Sequence, residues 1–229
     1  MTALDHLVLV APDIDDYVRR FTAETGVAVA FGGSHPGRGT KNYLVGLEFA
    51  PSSSIDCSVD DGIGAYLEFL GLDENQPDVP AEQTMFGVGT LGRSFVPQLL
   101  TWAVHGTDID ELASRGRKAG FAFASPVDAA RTTPAGELLR WRFAVNPDFP
   151  FAGLQPFLID WGDTPHPSQT PGLPKLKLRG LSLVHPDPGL SDVLAFLGLD
   201  IPCQVGPRSF SATFGGLSSQ AEFVLPTSC

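Results

Sequence analysis

Cysteine is scarce in this chain: Cys57, Cys203 and Cys229 are three among 229 residues, odd in number and far apart. They fit reduced thiols better than a disulfide framework or a cysteine metal site. Long apolar runs are missing too, none approaching the roughly 20 residues that a membrane-spanning helix needs. The N-terminus enters a strand pattern almost at once, without a basic region followed by a cleavable apolar segment, so a cytoplasmic setting is expected. Positive charge is in deficit, with 15 Lys and Arg against 26 Asp and Glu and a net charge of −11. No basic stripe interrupts that balance, which argues against nucleic acid as a partner. An anionic ligand would need a local positive pocket, for which Arg38, Lys41, Arg140 and Arg142 are the candidates.

What is present is a pattern written three times. Leu7-Val8-Leu9-Val10-Ala11-Pro12-Asp13 recurs as Leu181-Ser182-Leu183-Val184-His185-Pro186-Asp187, and Thr101 to Asp108 follows the same plan with looser identity. Repeats of this kind mark one supersecondary unit used several times. After each turn comes an apolar stripe at i, i+3, i+4 and i+7: Ile14, Tyr17, Val18 and Phe21; Ile109, Leu112, Ala113 and Gly116; Leu190, Val193, Leu194 and Leu197. Asp13, Asp108 and Asp187 precede the stripes as helix caps, and Gly26, Gly120 and Gly198 end them. With 43% apolar residues the chain can bury a sizeable core.

The predicted elements fall into three units. Strand 4–10, helix 13–25, a Gly-rich loop 32–40, strand 41–49 and strand 64–70 make the first, within 1–72. An excursion over 73–99, rich in Pro, Gly and acidic residues, links it to the second and is a candidate lid. The second unit, 100–162, has strand 100–105, helix 108–119 and strands near 121–133, 137–145 and 155–161. A proline-rich tether follows. The third unit, 175–229, repeats strand and helix and adds short strands near 203–206, 208–214 and 221–225. The fold class is therefore α+β: paired βαβββ modules whose curled mixed sheets surround a shared cleft, forming one domain over 1–165, plus a third, C-terminal module. That last copy must cover one of the first two or pair with its counterpart in another molecule, so a homodimer is expected.

Paired βαβββ units resemble the vicinal oxygen chelate superfamily, which includes glyoxalase I, extradiol dioxygenases and antibiotic-binding resistance proteins. Leu4-Asp5-His6-Leu7-Val8-Leu9-Val10, then Pro12-Asp13-Ile14 and Gly33-Ser34-His35-Pro36-Gly37-Arg38-Gly39-Thr40-Lys41-Asn42, resembles more narrowly the glyoxalase-like domain family. Tyr66-Leu67-Glu68 and Phe157-Leu158-Ile159-Asp160-Trp161-Gly162 strengthen the likeness. It implies a metal held by side chains from the first and last strands of the paired units. Carried onto this sequence, those ligands are His6, Glu68 and Asp160, an imidazole and two carboxylates suited to Zn, Mn, Fe or Ni. A fourth ligand is lacking, because the positions matching His6 are Thr101 and Gly180. His105 would stand about 13 Å further along the strand than Thr101.

Other candidates come from the residues themselves. His35 sits among permissive glycines and titrates near neutrality when free, which suits a general acid or base. Glu68 is the alternative base. Asn42, Thr101, Trp161 and Arg142 are candidate substrate contacts, Arg142 through a bidentate grip on a carboxylate or enolate. Arg140 and Arg142 share a strand face and Trp141 takes the other. His166 and His185, in Pro-flanked turns, read as shaping the chain.

Two functions stay open. One is an enzyme of lyase or isomerase type whose divalent metal polarises adjacent oxygens of a small carbonyl or hydroxy-acid substrate. The other is a metal-free protein that sequesters a small aromatic or amphipathic molecule between its modules. A structural or regulatory dimer is the blander third.

Overall fold

The repeated strand-and-helix pattern folds as three modules in a computed structural model that describes residues 2–49, 63–106, 108–215 and 222–225. The first comprises β1 (Thr2–Val10), α1 (Ile14–Thr25), β2 (Ala30–His35), β3 (Thr40–Phe49) and β4 (Ala65–Leu72). The second comprises β5 (Gln98–Gly106), α2 (Ile109–Lys118), β6 (Val127–Thr132), β7 (Leu138–Ala144) and β8 (Phe157–Asp160). The third comprises β9 (Lys175–His185), α3 (Gly189–Leu197), β10 (Cys203–Val205), β11 (Ser209–Gly215) and β12 (Glu222–Leu225).

The helix signals act as expected. Asp13 Oδ1 accepts from Asp16 N–H and Asp108 Oδ1 from Glu111 N–H, each at 2.9 Å, filling first-turn donors that no carbonyl reaches. Asp187 accepts instead from Gly189 N–H, and α3 begins one residue later than its aspartate suggests, after Pro188. The stripes Ile14, Val18, Phe21 and Leu190, Val193, Leu194, Leu197 are buried.

The first two modules share one connectivity. In each, the outer strands pair in parallel (β1 with β4, β5 with β8) and the remaining neighbours are antiparallel. They join along β1 and β5 in a long antiparallel ladder and meet again at one β2–β6 bridge, Ser34 with Thr132, so eight strands close into a barrel. The second seam depends on Gly33: a Cβ there would lie 1.9 Å from Thr132 O, and its φ is +135°, so only glycine lets β2 come this close.

Period two sorts the barrel residues. Leu7, Leu9, Leu67, Phe69, Trp102 and Val104 point outward into a core shared with α1, α2, α3 and the third module. Each such fully buried large side chain contributes roughly 1.5–3 kcal/mol. Val8, Val10, Leu44, Tyr66, Leu70, Ala103 and the β7 and β8 aromatics form a second cluster inside.

The third module is anchored by β9, which runs parallel to β3 from Gly46/Lys175 to Phe49/Leu178. Its Leu181, Leu183, Phe210 and Phe214 are fully buried in the outer core. The open sheet face that motivated a homodimer is therefore covered within the chain. Cys203 is a half-buried free thiol; Cys57 and Cys229 lie outside the described residues. Among the described residues no helix is long and apolar enough to cross a membrane.

Candidate functional site

The barrel interior is a narrow cavity with His6, His35, Asn42, Tyr66, Glu68 and Arg131 at its polar end and Trp141, Phe143, Phe157, Ile159 and Trp161 around the rest. Met85 and Phe86, from the 73–99 excursion, complete the wall. The excursion crosses here in two short 3-10 turns, pinned by the bond from Met85 N–H to Arg38 O. Phe86 sits at φ +54° and packs on Phe143 and Phe157.

Glu68 is the centre of the polar end. Its Oε1 accepts from Asn42 Nδ2 at 2.6 Å and lies 3.9 Å from His35 Nε2, while Oε2 lies 3.8 Å from His6 Nε2. Asn42 keeps its amide oxygen buried without a partner, so its orientation is set by the donor it gives Glu68. His35 is held by a 2.9 Å bond with Thr40 Oγ1. Desolvation lowers its pKa to about 4, assisted by the charge of Arg131 and opposed by Glu68 and Asp73, so His35 is neutral near pH 7. The loop read as Gly-rich resolves into the end of β2 and a tight turn over 36–39 that aims this ring inward.

Behind His6 stands Asp5. Between Leu4 and His6 the β1–β5 register slips, leaving Asp5 as an extra residue whose side chain is fully buried. His6 Nδ1–H donates to Asp5 Oδ1 at 2.6 Å, Trp161 Nε1–H to Oδ2 at 3.2 Å, and His105 Nδ1 lies 3.4 Å from Oδ2. Because Ser168 N–H donates to His166 Nδ1, the proton of His166 resides on Nε2, which donates to Asp5 Oδ2 at 3.1 Å. Burial pushes the Asp5 carboxyl up, but hydrogen bonds from His105, His166 and His6 outweigh it and hold the pKa well below the ordinary range. An ionised Asp5 fixes the His6 proton on Nδ1, and Nε2 faces the cavity. The ring of His6 stacks on Tyr66 at 4.6 Å. The phenol of Tyr66 is raised well above 10 by desolvation and by the charges of Asp5 and Glu68, so it stays protonated.

Of the residues predicted from sequence, His6, His35, Asn42, Glu68 and Trp161 come together in the cavity. Three do not. Asp160 alternates out of the barrel between the inward Ile159 and Trp161, and its Oδ1 accepts from Gly162 N–H at 2.9 Å. Arg142 lies outside, donating to both oxygens of Asp110 on α2 at 2.5 and 3.1 Å, while Trp141 takes the inward face. Thr101 lines a separate small cleft with Gln155 and Phe149. Lys41 is outside as well, in an open groove beside α1, balanced by Asp15 at 2.8 Å and Glu74 at 2.7 Å. Arg131 was not anticipated, and His166 was read only as shaping the chain. Arg131 and His166 come from distant segments with nothing in their local pattern to mark them, whereas Asp5 stands beside His6 in the sequence and its buried bond to that ring was open to a local reading.

The divalent metal implied by the family resemblance does not fit this donor set. His6 and Glu68 meet, but Asp160 faces away, Ala103 stands opposite His6 across the ladder, and β8 offers only apolar or indole groups inward. Among the described residues no group of three or more His, Cys, Asp or Glu is arranged to hold an ion.

Residues 4–195 match the model of a glyoxalase-like domain. The match runs past the tether into α3. The chain matches no curated protein. Among solved structures, a hypothetical protein from Staphylococcus aureus superposes with a TM-score of 0.61 at 16% identity, over 100% of this chain and 87% of that one. Methylmalonyl-CoA epimerase from Streptomyces coelicolor gives 0.48 at 18% identity over 73% of this chain and 99% of that one. The epimerase from Mycobacterium tuberculosis gives 0.43 at 16%, over 70% and 88%.

Proposed function

The chain belongs to the glyoxalase-like domain family, and from that premise we propose that it is a small-molecule isomerase or lyase that moves a proton on a carbonyl or hydroxy-acid substrate inside the barrel. The observation that carries this reading is the Glu68 carboxylate set between the Nε2 atoms of two buried imidazoles, 3.8 and 3.9 Å away, in a cavity walled largely by aromatic side chains. Glu68 Oε2 is the oxygen left free by Asn42 and takes the proton from carbon; the electron pair moves onto the substrate carbonyl as an enolate. His6, oriented by Asp5, has its Nε2 3.8 Å from Oε2, outside direct hydrogen-bond contact, and would return that proton through the bound substrate or after a small approach. Neutral His35 contributes a hydrogen bond rather than a charge.

One observation favours a second reading, metal-free sequestration of an aromatic ligand: Trp141 and Trp161 lie 5.1 Å apart in a wall that also holds Phe86, Phe143 and Phe157. Incubation with small 2-oxo and 2-hydroxy acids in D2O, followed by proton NMR, separates the two. Deuterium entering the carbon-bound position, and failing to enter with Glu68→Gln, supports the enzyme. Saturable quenching of tryptophan fluorescence with no exchange across the series supports sequestration and overturns it.

A further inference from the structure

Arg131 reaches the cavity from β6 and is only 4% exposed. Its Nη1 donates to Gly32 O, and among the described residues no carboxylate lies within ion-pair distance of the guanidinium. Glu68 and Tyr66 act on it only through longer-range charge. A guanidinium has five N–H donors in a rigid fork. One is used here, and the others have only the cavity to look to. Burying such a group without an acceptor is costly unless something else supplies the oxygens.

The surroundings narrow what that is. Arg131 is the one cation among the lining residues and Glu68 the one lining carboxylate, while Asp5 is screened behind its imidazole and indole donors. A cationic ligand would meet Arg131 head on, and a dianion would exceed the single positive charge. A neutral carbonyl oxygen could accept from the fork, as Gly32 O does, but would leave its positive charge uncompensated. The neighbouring strands β7 and β8 bring Trp141, Phe143 and Phe157 to the same cavity, a wall that suits the face or edge of a flat ring.

We infer that the occupant is a small aromatic monocarboxylate, its carboxylate held bidentately by Arg131, its ring against Trp141 and Phe157, and its side-chain carbon presented to Glu68. This deepens the proton-transfer reading and rests on it for the last placement. The role expected of Arg142 passes to Arg131, which meets the cavity where Arg142 does not.

The test is a fluorescence or calorimetric titration with phenylacetate against its neutral isostere phenylacetamide. The expected result is binding of phenylacetate at least about tenfold tighter, the scale of charge-assisted hydrogen bonds. Arg131→Gln should erase the preference and Arg131→Lys should keep part of it, with circular dichroism confirming that both variants fold. Equal affinity for the two ligands in the unmodified protein, binding of neither at millimolar concentration, or a preference that survives Arg131→Gln overturns the inference. Its failure is separable from failure of the enzyme reading. Deuterium exchange on a neutral hydroxyketone without anion preference removes only the ligand class, and anion preference without any exchange removes only the chemistry.

Discussion

In the first βαβββ module the inward positions of β1, β3 and β4 carry His6, Asn42 and Glu68. In the second, the corresponding strands β5, β7 and β8 carry Ala103, Trp141 with Phe143, and Phe157 with Ile159. The two share a connectivity, yet one wall carries titratable and amide side chains and the other aromatic and aliphatic ones. Only β2 and β6 break the pattern evenly, each sending one nitrogen-bearing side chain inward, His35 and Arg131. A duplicated backbone thus fixes where side chains point while leaving open what they are. A metal set drawn symmetrically from both modules fails here for that reason, since one module has given its inward positions to aromatic packing.

The comparison can be broken most forcefully at Asp5, which ties the walls together by accepting from His6 of one module and Trp161 of the other. Asp5→Ala strands several buried donors and is expected to lower unfolding stability by about 3–5 kcal/mol, read from urea denaturation. A loss below about 1 kcal/mol would mean the cluster is decoration.

Acid stability comes next. His35 is neutral in the fold down to about pH 4, whereas the unfolded chain protonates it near 6.5. The unfolded state binds the extra proton between those values, so this stability is fully present above pH 6.5 and is lost as pH falls toward 4, by up to about 3 kcal/mol. Asp5 acts in the same direction but below its ordinary 3.8. His35→Gln should flatten the decline between pH 6.5 and 4; an unchanged slope contradicts a buried neutral imidazole.

The chemistry of the polar wall is addressed by Glu68→Gln. It should slow exchange or turnover at least about 10²-fold while phenylacetate affinity changes only a few-fold. A variant that keeps its rate would move the base elsewhere. At the small end, Arg142→Ala should leave ligand affinity within about twofold, because that side chain pairs with Asp110 on the outer surface.

Much of the scaffold was legible because its signals are local. The stripe Ile14, Val18, Phe21 and the cap Asp13 need only their own helix to be read, and His6 shares a face with Val8 and Val10 by strand parity alone. Glu68, with Tyr66 and Leu70, followed from the same parity. Asp160 did not, and β8 explains why: Phe157, Leu158 and Ile159 are all buried, two facing the cavity and one the outer core. A strand apolar on both faces carries no alternation from which to choose the inward residue. The strand expected over 121–133 shortened to Val127–Thr132, and nothing in Ala129-Ala130-Arg131-Thr132 announces a buried guanidinium. His105 and His166 reach Asp5 across sequence separations of about a hundred residues or more, through a bulge that no local pattern specifies. The third module's place also rests on a long-range pairing, β9 on β3, that its repeat did not encode.

The most direct test of the barrel interior as the ligand site uses the chain's three tryptophans. Trp141 and Trp161 line the cavity, while Trp102 points into the outer core with its indole N–H bonded to Leu154 O at 2.7 Å. In a phenylacetate titration followed by 1H–15N NMR, the indole signals of Trp141 and Trp161 should move together and saturate while that of Trp102 stays still. Stationary cavity indoles, with shifts gathered instead at Lys41 and Glu74 in the groove beside α1, would contradict it.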